Sequence, residues 1–130
     1  MDTDLLHRSM PLCELLGMRV TSASTEGVAL ELDWSPTLCT TAGLLHGGVV
    51  MALADSAGAV CAFLHLPEGA TTSTIESKTN FLGAVTEGTI TATAKPLHVG
   101  RTTIVVETEV RRADGRLTAK VTQTQAVLKR

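Results

Sequence analysis

Residues 44–66 read LLHGGVVMALADSAGAVCAFLHL, the one long apolar stretch of the chain with helical spacing. It opens on His46-Gly47-Gly48 and carries a single carboxylate, Asp55, near its middle. An apolar run of about 20 residues is long enough to span a bilayer. Here a carboxylate near the centre would cost roughly 2.5–3.5 kcal/mol on an insertion scale, and the Ala and Gly that dominate the run offset little of that. The stretch is therefore read as a buried helix. At about 100° per residue, Val50, Leu53, Ala57, Val60, Cys61 and Leu64 share one side, with Gly48, Ala52, Asp55, Ala59 and Ala62 opposite. A helix that is apolar nearly all round is wrapped by other elements, and its small-residue stripe admits a neighbouring backbone, strand or second subunit at close range.

Outward from this helix, everything else reads as strand or turn apart from the N-terminus. Leu5, Leu6, Met10, Leu12, Leu15 and Leu16, interrupted by Pro11, suggest one or two short helical turns closed by Gly17. A run through Val20, the turn SASTEG, and the alternation of Val28, Leu30, Leu32 and Trp34 with Ala29, Glu31 and Asp33 give a half-buried strand pair. Ser35 to Gly43 is a loop of small hydroxylated residues leading to His46. Beyond Pro67 and Gly69, a strand from Thr71 to Leu82 is expected to carry Ser73, Ile75, Ser77, Thr79 and Phe81 on one face. Glycines 83, 88 and 100 then punctuate runs from Thr89 to Leu97 and Thr102 to Arg112, and Asp114-Gly115 signals a hairpin before Leu117 to Leu128. Short connections imply antiparallel pairing. The fold class is α+β: a single domain over residues 1–130, with an antiparallel sheet of about six strands curled around one long helix.

At 130 residues the chain can bury a core, yet a wide sheet would leave a face uncovered, which favours oligomerisation. A net charge of −2, scattered Arg and Lys, one Trp, two Phe and no Tyr exclude a nucleic-acid surface with stacking platforms. Cys13, Cys39 and Cys61 are odd in number and widely spaced, so they suggest reduced thiols rather than disulfides or zinc. The acidic start MDTDLLHRSM has no signal-peptide pattern, and a cytoplasmic protein is expected. His7, His46, His65 and His98 form no metal-ligand spacing, and no nucleophile elbow or phosphate-binding glycine loop occurs. No metal, cofactor or membrane partner is expected.

At the helix start, the backbone N–H groups of Gly47 and Gly48 have no intrahelical partner and lie at the positive end of the helix dipole. Glycines let a substrate carbonyl reach such amides, as an oxyanion hole requires, although a glycine pair also serves a tight loop-to-helix turn. Asp55 within an apolar helix needs a partner or a purpose: a catalytic base or nucleophile, or a structural carboxylate that caps a loop or pairs with an Arg across an interface. For His46, a structural ring holding the Ser35–Gly43 loop is favoured over a catalytic base.

Gly43-x-x-His46-Gly47-Gly48, Asp55 in the helix, Ser73 and Phe81-Leu82 in the next strand, and His98-x-Gly100-Arg101 at a hairpin together resemble the hot-dog-fold acyl-CoA thioesterases, in particular the phenylacetate-degradation (PaaI-like) subfamily of the 4-hydroxybenzoyl-CoA thioesterase superfamily. The resemblance covers nearly the whole chain, and the helix motif is its more specific part. It implies hydrolysis of an aryl or medium-chain acyl-CoA, with coenzyme A as part of the substrate, in a site shared by two subunits of a homodimer or a tetramer of two dimers. Gly47 would then hold the thioester oxygen, and Asp55 would attack the thioester or activate water. By the same resemblance, His46 and Gly48 belong to the helix-start motif and Ser73 helps place water, while His98, Gly100 and Arg101 lie near the coenzyme A phosphates. Many relatives carry Asn or Gln six residues before the motif histidine, where Thr40 stands here. Either Thr40 or Thr41 substitutes, or turnover is slower, or the substrate differs. The alternative from another functional class is a non-catalytic acyl-CoA sensor or interaction module on the same fold.

Overall fold

In the computed structural model, which describes residues 1–129, two short helices open the chain, α1 (Thr3–Ser9) and α2 (Pro11–Leu16). The Asp2 carboxylate caps α1 by accepting the Leu5 N–H at 2.8 Å, and Pro11 occupies the first turn of α2, where its missing N–H costs nothing. Gly17, at φ 76°, ends α2 in the left-handed conformation that glycine adopts without strain. There follow β1 (Arg19–Ser24), β2 (Gly27–Asp33), α3 (Gly47–Phe63), β3 (Thr71–Phe81), β4 (Thr89–Val99), β5 (Thr103–Arg111) and β6 (Leu117–Leu128).

The six strands form one antiparallel sheet in the order β1-β2-β4-β5-β6-β3, and α3 packs against all six. Alternation explains the inner face. Val28, Leu30 and Leu32 of β2, Ile90, Ala92 and Ala94 of β4, Ile104, Val106 and Val110 of β5, and Ala119 and Val121 of β6 are all buried against Val50, Leu53, Ala57, Val60 and Cys61 of α3. Each fully buried Leu or Ile contributes on the order of 1.5–3 kcal/mol. A curved sheet closing on one apolar helix is thus what buries this sequence's apolar surface.

Two expectations are corrected. First, α3 is not wrapped all round by its own chain. Ala62 is buried, but Gly48 and Met51 are exposed and Ala52, Asp55 and Ala59 are only half-buried, so the small-residue stripe stays partly open. Second, β3 does not hold one face throughout. A bulge between Thr74 and Glu76 displaces Ile75, so Thr74 lies opposite buried Gln125 and Ser77 opposite buried Gln123, while Ser73 and Ile75 turn away. An extra residue in a strand reverses the facing of everything before it.

The loop from Ser35 to Gly43 holds two single 3-10 turns, Pro36–Leu38 and Thr41–Gly43, anchored by the Trp34 indole N–H donating to the Gly43 carbonyl at 3.0 Å. Ala42 has φ 60°, a left-handed conformation that costs a residue with a Cβ roughly 1–2 kcal/mol. After subtraction of the greater unfolded-state entropy of glycine, Ala42→Gly is expected to raise the free energy of unfolding by about 0.5–1 kcal/mol in urea titration. An unchanged midpoint would show that the loop relaxes this strain.

Candidate active site

The start of α3 is built by three local contacts. His46, extended at φ −62° and ψ 133°, caps the helix with its own ring, as Nδ1 accepts the Gly48 N–H at 2.8 Å. A Cβ on Gly48 would lie 2.9 Å from that Nδ1, so the fold-back of the ring requires glycine there. A Cβ on Gly47 would lie 3.2 Å from the Phe81 ring, which covers this side of the helix end. The expectation that the His46 ring holds the preceding loop is corrected: its backbone N–H does so, donating to the Leu38 carbonyl at 2.9 Å.

The amides of this turn are therefore not equivalent. Val49 and Val50 donate to the His46 carbonyl and Gly48 donates to the His46 ring, which leaves the Gly47 N–H as the one without an acceptor among the described residues. An unsatisfied N–H at the positive end of a 17-residue helix is a donor suited to a carbonyl oxygen that gains negative charge. Gly48, its N–H already taken, contributes the space for the His46 ring.

Asp55 lies eight residues further along α3, half-buried. Its Oδ1 accepts from Gln123 Nε2 at 3.1 Å and from the Thr74 hydroxyl at 3.5 Å. Gln125 Nε2 donates to Thr74 Oγ1 at 2.8 Å, and the Thr72 hydroxyl donates to Gln125 Oε1 at 3.1 Å. Among the described residues Asp55 is in no ion pair and caps no loop, and both of its donors approach one oxygen, leaving Oδ2 unengaged. A carboxylate held on one side and free on the other can act at a neighbouring carbonyl or water.

Cysteine chemistry is disfavoured here. Burial raises the Cys13 thiol and pushes that of Cys61 up to about 11, so neither is a thiolate near neutrality. Cys13 instead donates to Ser56 Oγ at 3.4 Å, tying α2 to α3 beside Asp55. No group of three or more His, Cys, Asp or Glu able to hold a metal occurs among the described residues, and no helix there is long and apolar enough to cross a membrane.

The remaining sequence-derived residues are spread around this centre. Thr40 is exposed on the loop, its backbone N–H bonded to the Leu44 carbonyl at 2.8 Å and its hydroxyl without a partner among the described residues. Ser73 is exposed opposite Ala126, on the face of β3 turned away from Asp55, and the hydroxyl that reaches the carboxylate belongs to Thr74. His98, Gly100 and Arg101 lie together at the β4–β5 hairpin, where a Cβ on Gly100 would lie 2.6 Å from His98 Nε2. That hairpin is joined to the end of β6 by the Val127 N–H donating to the Thr102 carbonyl at 2.9 Å, with Ile104 opposite Gln125.

Sequence reasoning missed Gln123, Gln125 and Thr74. A signal existed: in LTAKVTQTQAVL, a period of two puts both glutamines in phase with the core residues Ala119 and Val121. Two amides on a core-facing stripe are as conspicuous as a carboxylate in an apolar helix.

With this geometry in view, the comparisons are specific. The family model of the Thioesterase superfamily matches residues 42–119, from the strained loop through α3 to β6. The Bacillus subtilis protein ComA2 is 34% identical over 122 residues, covering 92% of this chain and 95% of its own. The 1,4-dihydroxy-2-naphthoyl-CoA hydrolase of Listeria monocytogenes is 29% identical over 101 residues, 78% of this chain and 82% of its own. Among solved structures, thioesterase PA1618 of Pseudomonas aeruginosa superposes with a TM-score of 0.91 at 28% identity, covering 98% of this chain and 94% of that one. Thioesterase HI1161 of Haemophilus influenzae gives 0.92 at 26% identity, covering 99% and 92%. The chain therefore belongs to the thioesterase superfamily and is a hot-dog-fold thioester hydrolase.

Proposed function

We propose that this enzyme hydrolyses an aryl or medium-chain acyl-CoA to the free acid and coenzyme A, in a site completed by a second copy of the chain. The supporting observation is the separation of its two reactive groups. Gly47 and Asp55 are eight residues apart on one helix, roughly 12 Å along the axis at about 1.5 Å per residue. A carbonyl's oxygen and carbon are about 1.2 Å apart, so one thioester cannot reach both groups of a single subunit. Two copies related by a two-fold axis would each supply one.

The sheet has an edge suited to that pairing. β3 is an edge strand of 11 residues, mostly exposed, whereas the opposite edge, β1, has 6 residues, carries a bulge and is backed by α1. Pairing along β3 would bring a second copy against the open stripe of α3. A tetramer would join two such dimers.

In this reading the Gly47 N–H of one subunit takes the thioester oxygen, and the free oxygen of Asp55 from the other acts at the carbonyl carbon. It does so by attack, giving a mixed anhydride that water then opens, or by taking a proton from the attacking water. By either route the acyl–sulfur bond breaks, water's OH goes to the acyl group and a proton to the departing sulfur. The exposed hydroxyl of Thr40, and that of Thr74, which stands beside Asp55 where Ser73 was expected, are candidates for placing the water. Arg101, exposed and in no ion pair among the described residues, is available to a coenzyme A phosphate, with His98 and Gly100 shaping the hairpin beside it. The named substrate of the Listeria relative supports an aryl acyl group. Unpaired buried Cys13 and Cys61 support a reducing, cytoplasmic setting.

Thiol release from aryl, short, medium and long acyl-CoAs is the direct test. Turnover is expected to be highest on an aryl or medium-chain member. Tight binding across the panel without release of free thiol would replace this reading with a binding module.

A further inference from the structure

We propose that Gln123 is the positioning residue of this enzyme: a buried amide on the last strand that fixes the rotation of the Asp55 carboxylate and so selects which of its oxygens reacts. The proposal rests on the reading that Asp55 acts in hydrolysis.

Gln123 is an expensive choice for packing alone. It is 1% exposed, on the same inner stripe of β6 as Ala119 and Val121, and across the strand pairs it faces Val106 and Ser77. Its Oε1 has no hydrogen-bond partner among the described residues, and a buried amide oxygen without one is destabilising. It also dictates the helix opposite. A Cβ on Gly58 would lie 1.9 Å from Gln123 Oε1 and 2.4 Å from Cδ, so α3 carries glycine at a fully packed interior position, where glycine weakens a helix. A methionine at 123 would fill similar volume without an orphaned oxygen. Two unfavourable features that meet at one side chain mark a position kept for something other than stability.

What the side chain gains is the 3.1 Å bond from Nε2 to Asp55 Oδ1. Gly58 lies nearly one helical turn after Asp55, so the gap left by its missing side chain is the path by which the amide passes beside α3 to the carboxylate. Thr74, oriented by Gln125, approaches the same Oδ1 at 3.5 Å. With Oδ1 held from the sheet, Oδ2 is left without a partner among the described residues. Without Gln123, only the longer Thr74 contact restrains the turn of the carboxylate about its Cβ–Cγ bond, and the two oxygens exchange.

The experiment compares Gln123→Met, Gly58→Ala, Gln123→Ala, the Gly58→Ala/Gln123→Ala double variant and Asp55→Asn in the full-length protein, by thiol release from whichever acyl-CoA the wild type turns over best, with a thermal melt of each. Gln123→Met is expected to lower kcat about 10–100-fold with KM within about twofold, since misplacement of a reacting group acts on the chemical step. Its Tm should equal or exceed that of the wild type, because the orphaned oxygen is gone. Gly58→Ala should push Gln123 off Asp55 and lower kcat similarly, whereas the same change in the Gln123→Ala background, where space is free, should cost no further activity. Wild-type kcat in Gln123→Met, or a loss of kcat that only tracks a fall in Tm, would overturn the proposal. If Gln123→Met fails to fold, the Gly58 and Gln123 alanine variants give the same readout, and additive losses there would overturn it. Asp55→Asn separates the two levels: its full activity would refute the parent reading, whereas an inactive Asp55→Asn beside a fully active Gln123→Met refutes only the role of Gln123.

Discussion

Exchanging Asp55 for asparagine is expected to lower kcat for thioester hydrolysis by roughly 10³-fold or more, with Tm and acyl-CoA affinity nearly unchanged. The change is close to isosteric, and the amide oxygen can still accept the Gln123 Nε2 hydrogen bond that Oδ1 accepts now. What disappears is the negative charge and the free oxygen that can attack or take a proton. Because the group is half-buried and in no ion pair among the described residues, its removal leaves no buried cation unpaired. The measurements are thiol release, a thermal melt and calorimetric binding of a substrate on the variant. Wild-type turnover would remove Asp55 from the chemistry.

Gly47→Pro deletes one hydrogen-bond donor and little else, and should reduce kcat by about 10²–10³-fold, the range found when an oxyanion donor is lost. Proline is tolerated at the first helical position because the N–H it lacks has no intrahelical acceptor. The preceding residue, His46, already has the extended backbone that proline favours before it, at φ −62° and ψ 133°. The added ring meets Phe81, which is half-exposed in the single chain. A shared site then predicts complementation. When Asp55→Asn and Gly47→Pro chains are unfolded and refolded together in equal amounts, half the dimers are mixed, and each mixed dimer has one intact site of two, so about a quarter of wild-type activity should return. Activity that stays at the level of the separate variants would show that each site is built within one subunit.

The parts of the site legible in the sequence were those that broke a pattern. Asp55 stood out as a charge in an apolar helix, and His46-Gly47-Gly48 as a loop-to-helix junction with free amides. The Gln123–Asp55 bond was not legible, since it joins residues 68 positions apart that meet only when β6 curls over α3. Nor was the asymmetry of the two glycines, which depends on how the His46 ring folds back. Ser73 and Thr74 were distinguished by the bulge at Ile75, and no residue of TTSTIESKTN announces where a strand takes an extra residue.

Hydrophobic periodicity and turn chemistry, which are local and act through near neighbours, set the element order, the antiparallel character of the sheet, and the helix that the sheet must cover. Long-range packing, in contrast, takes β3, which follows α3 directly, to the far edge beside β6 instead of to its sequence neighbour β4, and leaves the stripe bearing Asp55 partly open. Strand order and facing are set by which surfaces bury each other across the whole chain, a global balance of area and register that no local stretch contains.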